Sequence, residues 1–235
     1  LMIRVSADRW FWYQRYHHLM LDGFSFEALT RRVAAVYQSL RAGQTPSPSP
    51  FISFGEVVAE YQAWQHSPAC ERAALFWQQH GKDFPTAISL SGETFSHHGR
   101  TSPLKQQVTL PPALLAALAQ QPGLRETAPA EIASALLVAY LARISGESRL
   151  SIGFPFMRRI GSAALAATGP VVNVLPLLPD IDDSMTLADV SQALQSEIKQ
   201  VRRHQRYEAE QLRRDLGLVG SGQPLYGPVI NLKIY

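Results

Sequence analysis

The row WFWYQRYHH, Trp10 to His18, is dense in aromatic side chains and predicts a pleated, well-covered strand. In an extended chain alternate side chains share a face, so His18 groups with Tyr16, Gln14 and Trp12, while His17 groups with Arg15 and Tyr13. On that parity one histidine serves a site and the other packs into its own lobe. Past Gly23 the period changes. Phe26, Leu29, Val33, Val36, Tyr37 and Leu40 recur at three- and four-residue steps, predicting a helix with Ser25 as N-cap and Gly43 just beyond its end. The two histidines thus fall at a strand end, and Asp22 falls just ahead of a helix.

The segment GQTPSPSP, from Gly43, has no apolar periodicity and reads as a linker, dividing the chain into 1–43, a Pro/Ser linker 44–50, and 51–235. Beyond it Ser53 with Glu56 forms a capping-box pattern, and Ser67 followed by Pro68 opens another helix. A loop rich in Ser, His and Gly precedes an alternating run, Leu104 to Leu110, that predicts a strand. Helices follow from Pro111 and from Thr127 to about Ile144. Apolar runs at Leu150 to Phe156 and Val171 to Leu178 predict strands on either side of the turn-rich RRIGSAALAATGP. An amphipathic helix opens at Thr186 with Asp189 closing a capping box; Leu187, Val190, Leu194, Ile198 and Val201 share its apolar face. A short helix at Glu208 to Leu216 and a strand from Val229 end the pattern. Strands alternating with helices indicate an α/β or α+β protein of two lobes.

Composition narrows the classes. With 235 residues and 46% apolar content the chain can bury a substantial core, and its net charge of +3 is spread out apart from KQVRRHQR near Lys199. No basic stripe is interleaved with exposed aromatics, which argues against nucleic acid. The one cysteine, Cys70, allows no internal disulfide and suits the cytoplasm. Apolar stretches fall short of a membrane span, so no membrane partner is expected. A start at Leu1 and a finish inside the apolar run PVINLKIY read as a piece of something longer.

A strand-end histidine can act as a general base, since its side chain titrates near neutral pH. As a metal ligand it needs partners, and an extended strand sends His17 and His18 apart, so no metal is expected. No G-x-S-x-G elbow, P-loop or dinucleotide fingerprint occurs, and Cys70 has no neighbours that mark a reactive thiolate. The bland alternative is a buried strand histidine beside a surface one. A second pair, His97-His98 in HHGR, lacks an aspartate at the matching distance and reads as solvated. Asp22 favours a helix N-terminus in any case; its sharper role is a buried anchor that needs an arginine, and Gly23 is either turn punctuation or a small residue past which a substrate arm can run.

The order His17-His18-Leu19-Met20-Leu21-Asp22-Gly23 resembles the HHxxxDG motif of condensation domains in non-ribosomal peptide synthetases, relatives of chloramphenicol acetyltransferase. TGPVVNVLPL (Thr168 to Leu177), RHQRYEAEQL (Arg203 to Leu212) and RRDLG with QPLYGPVINL resemble the later motifs in the same order, so the likeness covers nearly the whole chain. The resemblance implies a chloramphenicol acetyltransferase-like α/β fold, an α+β two-layer sandwich with two lobes in a V. Here it is truncated to the end of the N-terminal lobe and most of the C-terminal one. It implies an acyltransferase of siderophore-type assembly lines that condenses a donor thioester with the amine of an aminoacyl acceptor. A benzoyl-type donor and a seryl acceptor are the narrower expectation. Both substrates ride on phosphopantetheine arms of upstream and downstream carrier protein domains beside an adenylation domain of the same synthetase, and the domain itself binds no cofactor. On this reading His18 is catalytic, His17, Asp22 and Gly23 support it, and Gly169, Asn173 and Arg158 are substrate-channel candidates. The alternatives are a coenzyme A-dependent acyltransferase of the same fold and a non-catalytic docking module; the piece alone is expected to be inactive. The resemblance places Asp22's arginine ahead of WFWYQRYHH, so that Arg15, Arg158 and Arg159, the arginines that can come near, do not match it.

Overall fold

The structure, a computed structural model, describes residues 1–90 and 104–232. The chain forms two units, Leu1–Ser67 with Met157–Val172, and Pro68–Phe156 with Asn173–Tyr235. The Pro/Ser segment lies within the first unit, where the Arg32 guanidinium donates to the Ser47 hydroxyl at 2.9 Å and also to its carbonyl.

In the first unit β1 (Met2–Arg4) pairs antiparallel with β2 (Trp10–Trp12) in the register Met2 to Trp12. The aromatic strand therefore stops at Trp12, and the run from Tyr13 to the histidines is irregular. It is also not covered: Trp10, Phe11, Trp12 and Tyr13 are all exposed among the described residues. Helix α1 (Gly23–Arg41) carries the expected apolar spacing, yet Phe26, Val33, Tyr37 and Leu40 are exposed and Ser25 alone is fully buried. Its N-cap is Asp22 rather than Ser25. The extended backbone of Asp22 (φ −88°, ψ 179°) lets its carboxylate accept the Ser25 N–H at 2.9 Å, and Ser25 becomes the third helical residue.

Helix α2 (Phe54–Gln65) starts at Ser53, whose hydroxyl accepts the Gly55 N–H at 3.2 Å; Glu56 does not return to close the expected box. Ser67 ends α2 by donating to the Trp64 carbonyl at 2.6 Å. The returning segment forms a short 3₁₀ turn, Ala163–Ala166, and Glu60 on α2 holds its start by accepting the Ser162 hydroxyl at 2.9 Å and the Ala163 N–H at 2.7 Å. Val57, Ala164, Ala167 and Val171 make a small core there, flanked by Ile52, which bridges Ala167. The alanines let the 3₁₀ turn approach α2 closely.

The second unit is built on β3 (Ile152–Phe156) and β4 (Asn173–Leu177), antiparallel, with Phe156 opposite Asn173. Around them run α3 (Pro68–His80), α4 (Pro112–Ala119), α5 (Pro129–Ser145), α6 (Leu187–Arg203) and α7 (Ala209–Asp215). Helix α5 packs on α6, burying Ile132, Ala135, Val138 and Leu141 with Val190, Leu194, Ile198 and Val201. The Thr186 and Asp189 box forms as expected, with the Asp189 N–H on the hydroxyl at 3.2 Å and the Thr186 N–H on the carboxylate at 2.9 Å. Two expected strands do not form. Residues 104–110 are irregular and exposed, since alternation without a pairing partner does not hold a strand. Val229 makes an isolated parallel bridge to Gly153, with Ile230 N–H on the Gly153 carbonyl at 2.9 Å, and Asn231 and Leu232 are irregular; residues 233–235, like His97-His98, lie outside the described residues.

Candidate functional site

The histidine pair sits on a tight turn between the hairpin and α1. His17 Nδ1 accepts the Leu19 N–H at 3.1 Å and the His17 carbonyl accepts the Met20 N–H at 2.9 Å, so His17 shapes the turn with its own ring. It is exposed and not packed into the interior of its unit. His18 is also exposed and, among the described residues, makes no side-chain hydrogen bond. Because the strand ends at Trp12, the turn and not strand parity separates the two rings. Gly23, the exposed first residue of α1, stands in the open: a Cβ built there meets nothing within 4 Å.

Four residues past His18 the chain goes into the interior. Asp22 and Arg159 are both buried to 2% side-chain exposure, and Nη2 of Arg159 lies 2.9 and 2.8 Å from the two carboxylate oxygens. The same nitrogen reaches the Ser25 hydroxyl at 2.9 Å and the Gly169 carbonyl at 2.7 Å; Nη1 donates to the carbonyls of Ala164 and, at 3.0 Å, Ala167. The guanidinium also lies over the Phe24 ring, 4.4 Å from its centroid. Burial alone pushes the Asp22 carboxyl up, but the Ser25 N–H, the Arg159 guanidinium, the Ser25 side chain and the Val171 N–H outweigh it and hold the group below the ordinary aspartate value. Asp22 is therefore a buried anion whose hydrogen-bonding capacity is used within the fold, an anchor and not a proton carrier.

This corrects the expectation that no arginine in the chain matches Asp22. Arg159 does, arriving from the segment between β3 and β4. Its neighbour Arg158 has φ +51°, in the left-handed region, which turns consecutive arginines to different partners: Arg158 Nε donates to the Val171 carbonyl at 2.6 Å and its guanidinium lies over Tyr61. A buried carboxylate before a helix requires a counter-charge, and the adjacent pair RR ahead of a Gly-Ser turn was the sequence signal for it.

Gly169 and Asn173 are likewise tied into structure. Gly169 has φ +150°, and a Cβ there would come within 2.3 Å of the Phe54 ring. Gly169→Ala is expected to cost about 1–3 kcal/mol from overpacking, with added strain from the backbone angle. Equilibrium denaturation measures it, and a cost below about 0.5 kcal/mol would show that the Phe54 contact is unimportant. Asn173, in the second unit, is buried. Its amide donates to the carbonyls of Gln205 at 3.1 Å and Tyr207 at 2.7 Å and accepts the Ala209 N–H at 3.3 Å, which staples the α6–α7 connection. Burial, with Glu71 close by, raises the Cys70 thiol pKa, so the thiol is no ready nucleophile. Among the described residues no group of three His, Cys, Asp or Glu side chains could hold a metal, and no helix is long and apolar enough to cross a membrane.

Comparison with known proteins places this geometry. A family model described as "Condensation domain" matches residues 1–235. The chain is 42% identical over 236 residues to enterobactin synthase component F of Escherichia coli (strain K12), covering 100% of this chain and 18% of that protein. It is 42% identical to vanchrobactin synthetase VabF of Vibrio anguillarum, covering 97% of this chain and 8% of that one. Among solved structures, a starter condensation domain of rhizomide synthetase in complex with C8-CoA aligns with TM-score 0.81 and 31% identity over 99% of this chain and 52% of that chain. The first condensation domain of the calcium-dependent antibiotic synthetase, in complex with a substrate analogue, aligns with TM-score 0.79 and 29% identity over 93% of this chain and 48% of that chain. The chain thus spans less than a fifth of the curated relatives and about half of the solved domains it matches.

Proposed function

The chain belongs to the condensation-domain family, with its chloramphenicol acetyltransferase-like fold, and from that premise we propose that it forms an amide between a tethered acyl thioester and the amine of a tethered aminoacyl group. The observation that supports this best is the arrangement at the turn: His18 is exposed with its imidazole uncommitted, and the residue that ends its loop, Asp22, is locked to Arg159. In the reaction the amine lone pair attacks the thioester carbonyl, forming C–N and breaking C–S. His18 takes the proton that the amine nitrogen gives up, and the departing thiolate ends as a thiol. His17 holds the turn. Asp22 fixes its base, and the open space at Gly23 leaves room for a substrate arm to pass the start of α1. Gly169 and Arg158 belong to the segment that is tied to the start of α1 through Asp22 and Ser25, and Asn173 supports the second unit.

The substrates are read as a benzoyl-type donor and a seryl acceptor, carried on phosphopantetheine arms of upstream and downstream carrier domains in a siderophore-type synthetase that also holds an adenylation domain, and the site of action as the cytoplasm. The similarity to enterobactin synthase component F supports that choice. A second reading has its own support in the rhizomide synthetase domain solved with C8-CoA: the donor arrives on soluble coenzyme A, whose arm is also phosphopantetheine. The native polypeptide is expected to make amide from carrier-loaded donor and acceptor and to respond scarcely to acyl-coenzyme A with free amine. Equal turnover of acyl-coenzyme A would select the second reading, and no amide from either donor would point to a docking module.

A further inference from the structure

The hydroxyl of Ser25 has one proton and two lone pairs, and every one of them is used. Oγ donates to the Gly169 carbonyl at 2.9 Å, accepts the Gly169 N–H at 2.9 Å and accepts from Arg159 Nη2 at 2.9 Å. One side chain, 0% exposed, therefore grips a single residue of the returning segment by both of its backbone groups. Its own N–H meanwhile caps onto the Asp22 carboxylate. We propose that Ser25 is a positioning residue for the reaction: its Oγ sets the register between the turn that carries His18 and the segment from Gly169 to Val171.

The ion pair shares this task with Ser25, since Asp22 accepts the Val171 N–H and Arg159 reaches the Gly169 carbonyl. Both Asp22 oxygens meet the same nitrogen of Arg159, so the pair is a pivot about one atom and lacks the two-point fork that would fix rotation. Arg159 Nε is buried without a partner, and Nη1 ties the guanidinium to the Ala164 and Ala167 carbonyls of its own segment and not to α1. The grip on Gly169 adds a further point of attachment to the one Asp22 makes by accepting the Val171 N–H at 3.2 Å. It works because Gly169 is pressed against the Phe54 ring, which leaves the segment no room to shift toward α2. A catalytic group must be held to within a fraction of an ångström, and misplacement by about 1 Å can cost roughly 10²-fold in rate. Losing a register contact at Ser25, well along the chain from His18, should cost less than that.

The inference rests on the proposed condensation activity, and its test separates the two. In the native polypeptide, Ser25→Ala is expected to speed deuterium exchange across residues 168–172 and to lower the single-turnover condensation rate by about 10-fold at saturating loaded carriers, with the apparent binding constant for the donor carrier unchanged. Ser25→Thr, which keeps a hydroxyl, is expected to recover the rate to within about threefold of the parent. Faster exchange with an unchanged rate would make Ser25 merely structural and overturn the assignment, as would equal slowing in the Ala and Thr variants. Should Ser25→Ala fail to fold, Ser25→Cys keeps the side-chain bulk with a weak donor and is expected to show the same exchange and rate defects; a Cys variant at the parent rate would sink the idea. A parent inert toward loaded carriers would remove the functional reading and this assignment with it, a failure the exchange data distinguish from one confined to Ser25.

Discussion

Replacing His18 with alanine in the native polypeptide is expected to slow amide formation by about 10²- to 10⁴-fold, the usual worth of general acid–base assistance, without unfolding the protein. The ring is exposed and bonded to nothing among the described residues, so its removal leaves no buried group unpaired. His17→Ala should behave in the opposite way. Its Nδ1 caps the Leu19 N–H at 3.1 Å, a contact worth about 0.5–1.5 kcal/mol, so this loss should appear mainly in stability and only modestly in rate. Single-turnover condensation with pre-loaded carriers isolates the bond-forming step from loading and release. Similar rate losses in both variants, or a His18→Ala protein within about threefold of the parent, would mean that the turn and not the imidazole matters.

The part of this site legible in the sequence was the part built from local contacts. Asp22 before a helical period, the Thr186 and Asp189 box, and the apolar face of α6 follow from spacing alone, because helix termini and helix faces are satisfied within a turn or two of the chain. The partner of Asp22 is 137 residues away, and no period announces it. Ser25 shows the same limit at close quarters: a serine beside a helix start looks like the N-cap, but the preceding carboxylate takes that place and frees the hydroxyl for Gly169, 144 residues on. Strands were misjudged for a related reason. The aromatic run to His18 and the alternation of 104–110 have the composition of strands, but a strand needs a neighbour to pair with, and among the described residues only Trp10–Trp12 finds one.

Removing Arg159 is expected to destabilise the first unit strongly. Arg159→Ala would leave the Asp22 charge buried without a counter-ion and take the Arg159 donor from the carbonyls of Ala164 and Ala167, a change expected to cost about 3–5 kcal/mol. A typical domain has about 5–15 kcal/mol in all, so the first unit would be near its limit. Asp22→Asn keeps an acceptor for the Ser25 N–H but leaves the guanidinium buried and unpaired, so it too should destabilise. The pH dependence separates the charge from the shape. Asp22's carboxyl is held below its ordinary value in the fold, so its contribution is present above the unfolded pKa of about 3.9 and is lost as pH falls through the lower folded one. The stability gap between the parent and Asp22→Asn should therefore be constant near neutrality and narrow below about pH 4. Burying a pair is not in itself stabilising, since desolvation offsets much of the attraction. An apolar replacement of both residues, Asp22→Leu with Arg159→Met, is thus expected to regain part of the stability lost in Arg159→Ala, by removing the unpaired charge, while condensation stays slow because neither side chain can cap α1 or bond the Ala164 and Ala167 carbonyls. Denaturation curves at pH 7 and pH 3 decide the matter: a gap that does not change with pH, or an Arg159→Ala cost below about 1 kcal/mol, would mean that the pair is not the anchor of the catalytic turn.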